Sequence, residues 1–189
     1  MGKEEASERQ EETIEIDLRN PNLAAFLAWL WPGAGHIYQR RYFKGGLFML
    51  SILAIYFFGL TIGKGHVVYA SWTETDKRWH YFCQVGVGLP ALPALVQANR
   101  VLREKDKKEP LFDGFMAPPE QPVRPESEDE LAFWHKTLEA KFELGTLYTM
   151  IAGLLNILVV CDAFAGPFLA SSDNKEKKKK DESDKPPPG

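Results

Sequence analysis

Residues Asn22–Gly63, NLAAFLAWLWPGAGHIYQRRYFKGGLFMLSILAIYFFGLTIG, decide the fold class. Two apolar runs flank a polar, glycine-rich elbow, Pro32-Gly-Ala-Gly-His-Ile-Tyr-Gln-Arg-Arg-Tyr-Phe-Lys44. The second run, Gly45–Gly63, carries no charge. It has the length of a crossing, because a hydrocarbon core about 30 Å thick needs about 20 apolar helical residues. Residues 22–63 therefore read as a helical hairpin in a bilayer.

The first arm is shorter. Leu23–Trp31 is half a span and reaches Tyr38 only by including Pro32, Gly33 and Gly35. It either crosses with a kink or re-enters, and re-entry is tolerated only where protein or water satisfies the freed backbone. The length requirement favours crossing. A cleaved signal peptide is not expected, because the preceding tail, 1–21, is acidic rather than basic and no small-residue cleavage pattern follows.

Outward from the hairpin, charge is segregated into blocks. The 189-residue chain has a net charge of −3, and its slightly negative mean hydropathy hides long uncharged runs between charged tails and a charged middle. Two further runs qualify as membrane segments. Residues 81–98 are apolar but contain Pro90 and Pro93, which predicts a kinked span. Residues 144–170 contain one acid, Asp162, and are long enough to cross with tilt. The fold class expected is an all-α integral membrane protein with about four membrane-embedded helical segments, the first crossing or re-entrant, plus an amphipathic interfacial helix and disordered tails.

Between runs, 64–80 forms a loop and 99–125 a linker that is first basic and then Pro-rich, with Pro110, Pro118, Pro119, Pro122 and Pro125. Leu111, Phe112, Phe115 and Met116 within it are expected to pack on protein or on the lipid surface. Ser127-Glu-Asp-Glu130 resembles a capping box and opens an amphipathic helix over 126–143. Its stripe of Leu131, Trp134, Leu138 and Phe142 suits either a membrane interface or packing on other segments of the same side. A Lys-rich tail, 171–189, closes the chain.

Orientation follows Lys and Arg beside the spans. Arg40, Arg41 and Lys44 in the elbow, with Arg100, Arg103, Lys105, Lys107 and Lys108 after the third run, place both connections in the cytoplasm and both tails outside. Lys177–Lys180 oppose this assignment, so the inverted topology stays open.

The candidate functional residues are the polar groups within the runs. Asp162 is costly in a span and needs a partner, a cavity or an ion path. In a four-crossing bundle its depth matches Lys64 and Gln84, which would satisfy it structurally. Asn156 reads as interhelical glue. His36 is either a titrating switch or a ring bonded to the broken turn, and the second reading is favoured because no partner lies at metal-ligand spacing. Cys83 and Cys161 fall at similar depth and read as buried thiols rather than a disulfide. Gly59-Leu-Thr-Ile-Gly63 matches a small-residue helix contact. His66 and His80, with Glu74 and Asp76 between them, fit a solvated interface beside Trp72 and Trp79 better than a metal site.

No phosphate-binding loop, nucleophile elbow, paired-His zinc motif or CxxC occurs, so no enzyme, cofactor or metal is expected. The partners expected are the lipid bilayer and proteins contacting the Pro-rich linker and tails. Nucleic acid is not expected, and oligomerisation is left open. The function expected is a structural or interaction module of the membrane; the alternative is a subunit of a small transporter or channel with Asp162 in an ion or proton path.

Two stretches carry family resemblances. Ala25–Leu47, with Gly33-Ala-Gly-His-Ile-Tyr38 at its centre, resembles the two-transmembrane-helix domain, in which a Gly-x-Gly-His-x-x-Tyr elbow joins two membrane helices. It departs from that domain in having Arg40-Arg41 at the turn and in adding further runs. Gly145–Pro167, with Gln84-Val-Gly-Val-Gly-Leu-Pro-Ala-Leu-Pro93, is similar to an uncharacterised family of bacterial multi-span membrane proteins. The resemblances imply a multi-pass protein of the bacterial inner membrane and bring no catalytic residues.

Overall fold

The computed structural model describes residues 20–73, 77–102, 109–119 and 130–183, the stretch 167–183 by its backbone alone. The tail before residue 20, Arg103, most of the capping box and the linker prolines beyond Pro119 lie outside the described residues. The described fold is all-α. It contains two helices long and apolar enough to cross a membrane, α3 (Tyr42–Ile62) and the Ala140–Gly166 part of α7 (Ala140–Ser183). Neither stretch contains a proline, unlike the first and third runs. Helical backbone continues to Ser183, beyond the expected bound at 170.

α3 and α7 pack antiparallel. At one end Gly59 meets Gly145, where an added Cβ on either residue would lie within 3 Å of the other's carbonyl oxygen. At the other end Lys44 meets Asp162. The small-residue spacing at Gly59 and Gly63 is thus used, since both border Gly145 and allow the two backbones to approach closely.

The first run is not one helix. Asn20 accepts from the Asn22 amide, Pro21 occupies the first turn, and α1 (Pro21–Leu30) stops as Trp31 takes the extended conformation required before Pro32. Gly33, with φ of 79°, reverses the chain, and α2 (Ala34–Tyr38) packs back along α1 with Gly35 seated on Ala24 and Ala28.

The third run is likewise broken rather than kinked. It is built from α4 (His80–Gln84), single 3-10 turns at Val85–Val87 and Leu89–Ala91, and α5 (Pro93–Val101). Gly88, with φ of 83°, sits at the reversal. Gly86 lies against Gly153 of α7, whereas Gln97 of α5 binds the carbonyls of Leu111 and Phe115, and the Met116 amide binds the Gly65 carbonyl. The run therefore starts beside the C-terminal end of α3 and its chain comes back to that same end. Its tip meets the end of α1, where Gly88 faces the carbonyls of Trp29 and Leu30.

The stripe of α6 (Glu130–Leu138) resolves in favour of protein packing. Trp134, Leu138 and Phe142 are buried with Val67–Ala70, and His66 stacks on Trp134 at 4.5 Å. Burial pushes the His66 imidazole pKa down, against the opposing pull of Glu130 and Asp113. The four apolar linker residues divide: Met116 is buried, Leu111 and Phe115 are partly exposed, and Phe112 projects.

Candidate functional site

The polar residues of the interior converge on one helix. α7 presents in turn Gly145 to the end of α3, Thr149 and Gly153 to α4, Asn156 to α1 and the Val85–Val87 turn, and Asp162 and Gly166 to the elbow and the start of α3. Thr149 accepts from the Gln84 side chain at 2.8 Å, and Gln84 also donates to the Val67 carbonyl at 3.0 Å. One level further along, fully buried Asn156 donates from Nδ2 to the Ala28 carbonyl of α1 at 3.1 Å and to the Gly86 carbonyl at 2.9 Å. These carbonyls lie where the helical hydrogen-bond ladder fails, so one amide satisfies backbone groups from two breaks.

Nearer the elbow, the Asp162 carboxylate receives two partners on one oxygen. His36 Nε2 and Lys44 Nζ each lie 2.6 Å from Oδ2. His36 is fully buried, while Asp162 and Lys44 are each a little over one-third exposed. Phe48 packs its ring edge-on to His36 and beneath the Lys44 ammonium. Gln39 donates to the Ala163 carbonyl at 2.6 Å, and the Arg41 guanidinium lies over Gly166, which leaves room for it by lacking a side chain. The elbow is thereby fixed to α7 by one carboxylate, one backbone carbonyl and one glycine.

This arrangement corrects the expected depth of Asp162. Counting the third run as a crossing makes α7 parallel to α3 and places Asp162 near Lys64 and Gln84. Because that run reverses at Gly88, α7 is antiparallel to α3 and carries Asp162 to the elbow. Gln84 is instead level with Thr149. His36 and Asp162, singled out separately in the sequence, are bonded partners 126 residues apart.

The same reversal separates the basic anchors. Arg40 is exposed, Arg41 half-buried and Lys44 paired at the elbow end of α3, whereas Arg100 donates from Nε to the Glu109 carbonyl at the opposite end. The expectation that both basic connections share one side therefore fails wherever α3 crosses a membrane. Cys83 and Cys161 do not share a depth either: Cys83 borders Gly153, eight residues from Cys161, and both thiols are free.

Sequence reading passed over Arg78, Tyr56 and Tyr81. Arg78 is buried, donates to Val67 O and Thr146 Oγ1, and lies over the rings of Tyr69 and Phe142. Tyr56 and Tyr81 donate to the carbonyls of Pro90 and Ala91, the broken turn's own backbone. A hint existed, since a break at Gly88–Pro93 frees carbonyls that need donors. Nothing in one sequence says which donors. Among the described residues no group of three or more His, Cys, Asp or Glu side chains is placed to hold a metal. His80 stacks on Trp79, as His66 does on Trp134.

Residues 23–178 match a family described as being of unknown function, DUF6677, in one stretch that includes the elbow and most of α7. Neither the curated proteins nor the solved structures contained a match to the chain.

Proposed function

Since the chain belongs to a family of unknown function, DUF6677, we propose from its polar interior that it is a structural or interaction module of the membrane. In this reading α3 and α7 cross the bilayer, and the α1–α2 and α4–α5 turns enter from opposite faces and return, making four embedded segments. The location implied by the sequence resemblance is a bacterial inner membrane. The supporting observation is what the interior polar groups contact: Asn156 and Asp162 bind the chain's broken elements from α7, and Gln84, within one of them, binds Val67 and Thr149. Irregular backbone at membrane depth is tolerated when protein satisfies it, and here protein does so. Among the described residues the surfaces left for partners are the apolar faces of α3 and α7 and the elbow; the Pro-rich linker and the tails are proposed as partner contacts from the sequence.

Reconstitution into vesicles tests this. Ion and proton flux should equal that of empty vesicles for the wild type and for Asp162→Asn alike. Flux that Asp162→Asn abolishes would establish the second reading, a transporter or channel subunit. That reading draws support from the amide oxygens of Gln84 and Asn156, at successive levels along α7, which are buried with no hydrogen-bond partner among the described residues.

The crossing count has its own test. With Cys83 and Cys161 replaced, single cysteines at the exposed positions Arg40 and Glu109 should react with impermeant reagents added to opposite sides. Labelling of both from one side would remove the two-crossing topology.

A further inference from the structure

The elbow holds more positive charge than its one acid balances. Lys44 pairs with Asp162, which leaves Arg40 and Arg41. Neither guanidinium makes a hydrogen bond or an ion pair among the described residues. The described side chains at this end of α3 thus set three cations, Arg40, Arg41 and Lys44, against one carboxylate, and buried His36 adds no negative charge. The tail before residue 20 and the side chains beyond Gly166 lie outside that count. The backbone under both arginines is fixed. Arg40, with φ of 61°, donates its amide to the Ile37 carbonyl, and Arg41 donates to the His36 carbonyl at 2.8 Å. Arg41 is also placed by its side chain: it is half-buried, and its guanidinium lies over Gly166, where an added Cβ would fall 2.7 Å from Nη1. A guanidinium partly withdrawn from water is costly unless an anion completes it.

We infer that Arg40 and Arg41 bind the phosphate of an anionic lipid headgroup, an assignment that rests on the reading of α3 as a crossing. The donor chemistry supports phosphate. Two adjacent guanidinium groups offer planar forks of N–H donors that match phosphate oxygens, and the carboxylate that could have competed for them is held by His36 and Lys44. Position supports lipid as the source. Arg41 is the residue directly before α3, and Tyr42 and Phe43 of its first turn are exposed. The end of a crossing helix lies at headgroup level, where aromatic side chains concentrate and basic ones meet anionic lipid. The pairing of Lys44 with Asp162 and the bond from Gln39 to the Ala163 carbonyl then have a second consequence: they hold the two arginines against α7 at that level.

The test uses the full chain in detergent, with bound lipid counted by native mass spectrometry as phosphatidylglycerol or phosphatidylcholine is added. Phosphatidylglycerol should bind more tightly, each arginine contributing about fivefold to the preference, and Arg40→Gln with Arg41→Gln should remove it. Equal binding of the two lipids to the wild type overturns the proposal. Two variants that keep the charge, Arg41→Lys and Gly166→Ala, should each lower the preference, the first by losing the fork and the second by crowding it. If neither does, the arginines act as diffuse surface charge and the site is rejected. Arg100→Gln, at the opposite end of α3, should leave the preference intact; a loss equal to that of the elbow variants overturns the location. Excess inorganic phosphate separates the sources. It should neither displace the lipid nor raise the melting temperature of lipid-free protein, and a rise that matches phosphatidylglycerol and depends on Arg40 and Arg41 overturns the lipid assignment. Arg40→Gln alone, at an exposed side chain, serves should the double variant fold poorly. Impermeant labelling at positions 40 and 109 reports the crossing separately: labelling from opposite sides without a lipid preference rejects the site and leaves the crossing intact.

Discussion

Gly88→Ala is expected to cost on the order of 2–5 kcal/mol of stability and to abolish most monodisperse protein on mild heating in detergent. Two costs combine. The residue holds φ of 83°, and its new Cβ would fall 1.9 Å from the Trp29 carbonyl oxygen, with the Leu30 carbonyl also within 3 Å. Left-handed backbone with a Cβ costs about 1–2 kcal/mol, and overpacking adds about 1–3 kcal/mol. Neither neighbour can yield cheaply, since both are backbone at the end of α1 and the contact joins the two broken turns. Two controls separate the costs. Gly114 has φ of 78° with no atom near its missing Cβ, so Gly114→Ala should show the conformational cost alone. Gly46 is helical and equally open, so Gly46→Ala should be neutral or stabilise by up to about 1 kcal/mol. If Gly88→Ala melts no lower than Gly114→Ala, the contact between the two turns is not a determinant of the fold.

The contrast between α3 and the third run shows how much of this architecture is legible in sequence. α3 could be read directly, because an uncharged run of crossing length has few other uses. The breaks at Pro32–Gly33 and Gly88–Pro93 were also visible as breaks. Their consequence was not, because Pro and Gly state that a helix stops without stating whether the chain then proceeds or reverses. That single choice fixes the parity of the crossings. Parity in turn fixes the direction of α7 relative to α3, and so whether Asp162 meets Gln84 or His36. One local ambiguity therefore displaced a whole set of long-range contacts. The α6 stripe left a different ambiguity: an apolar face demands cover, but its periodicity is the same whether lipid or Val67–Ala70 supplies it. The polar residues themselves were found by their cost in an apolar run, which is a property of sequence; their partners are a property of topology.

Asp162→Ala should release the elbow from α7 and destabilise the protein by about 1–2 kcal/mol. A hydrogen bond to a charged group is worth about 1.5–3 kcal/mol, but the carboxylate is 38% exposed and Lys44 40% exposed, so solvent screening reduces the ion-pair share. His36 carries the larger share. Its ring is fully buried, its Nδ1 has no hydrogen-bond partner among the described residues, and the Asp162 carboxylate is the acceptor at Nε2. Removing that acceptor leaves a buried donor unsatisfied, whereas Lys44 can turn to water. The ranking follows: Asp162→Ala should be worst, Asp162→Asn intermediate because an amide oxygen still reaches Nε2, and Lys44→Met mildest. A double-mutant cycle over His36→Ala and Asp162→Ala, read as thermal stability in detergent, should give a coupling near 1 kcal/mol. The equivalent cycle over Lys44→Met should give less than about half of that. Equal couplings would mean that the carboxylate acts as a surface charge, and a His36 coupling near zero would leave Gln39 and Arg41 to hold α2. The expected inequality instead identifies Asp162 as the residue that closes the chain, binding a histidine at the start of the fold from a helix at its end.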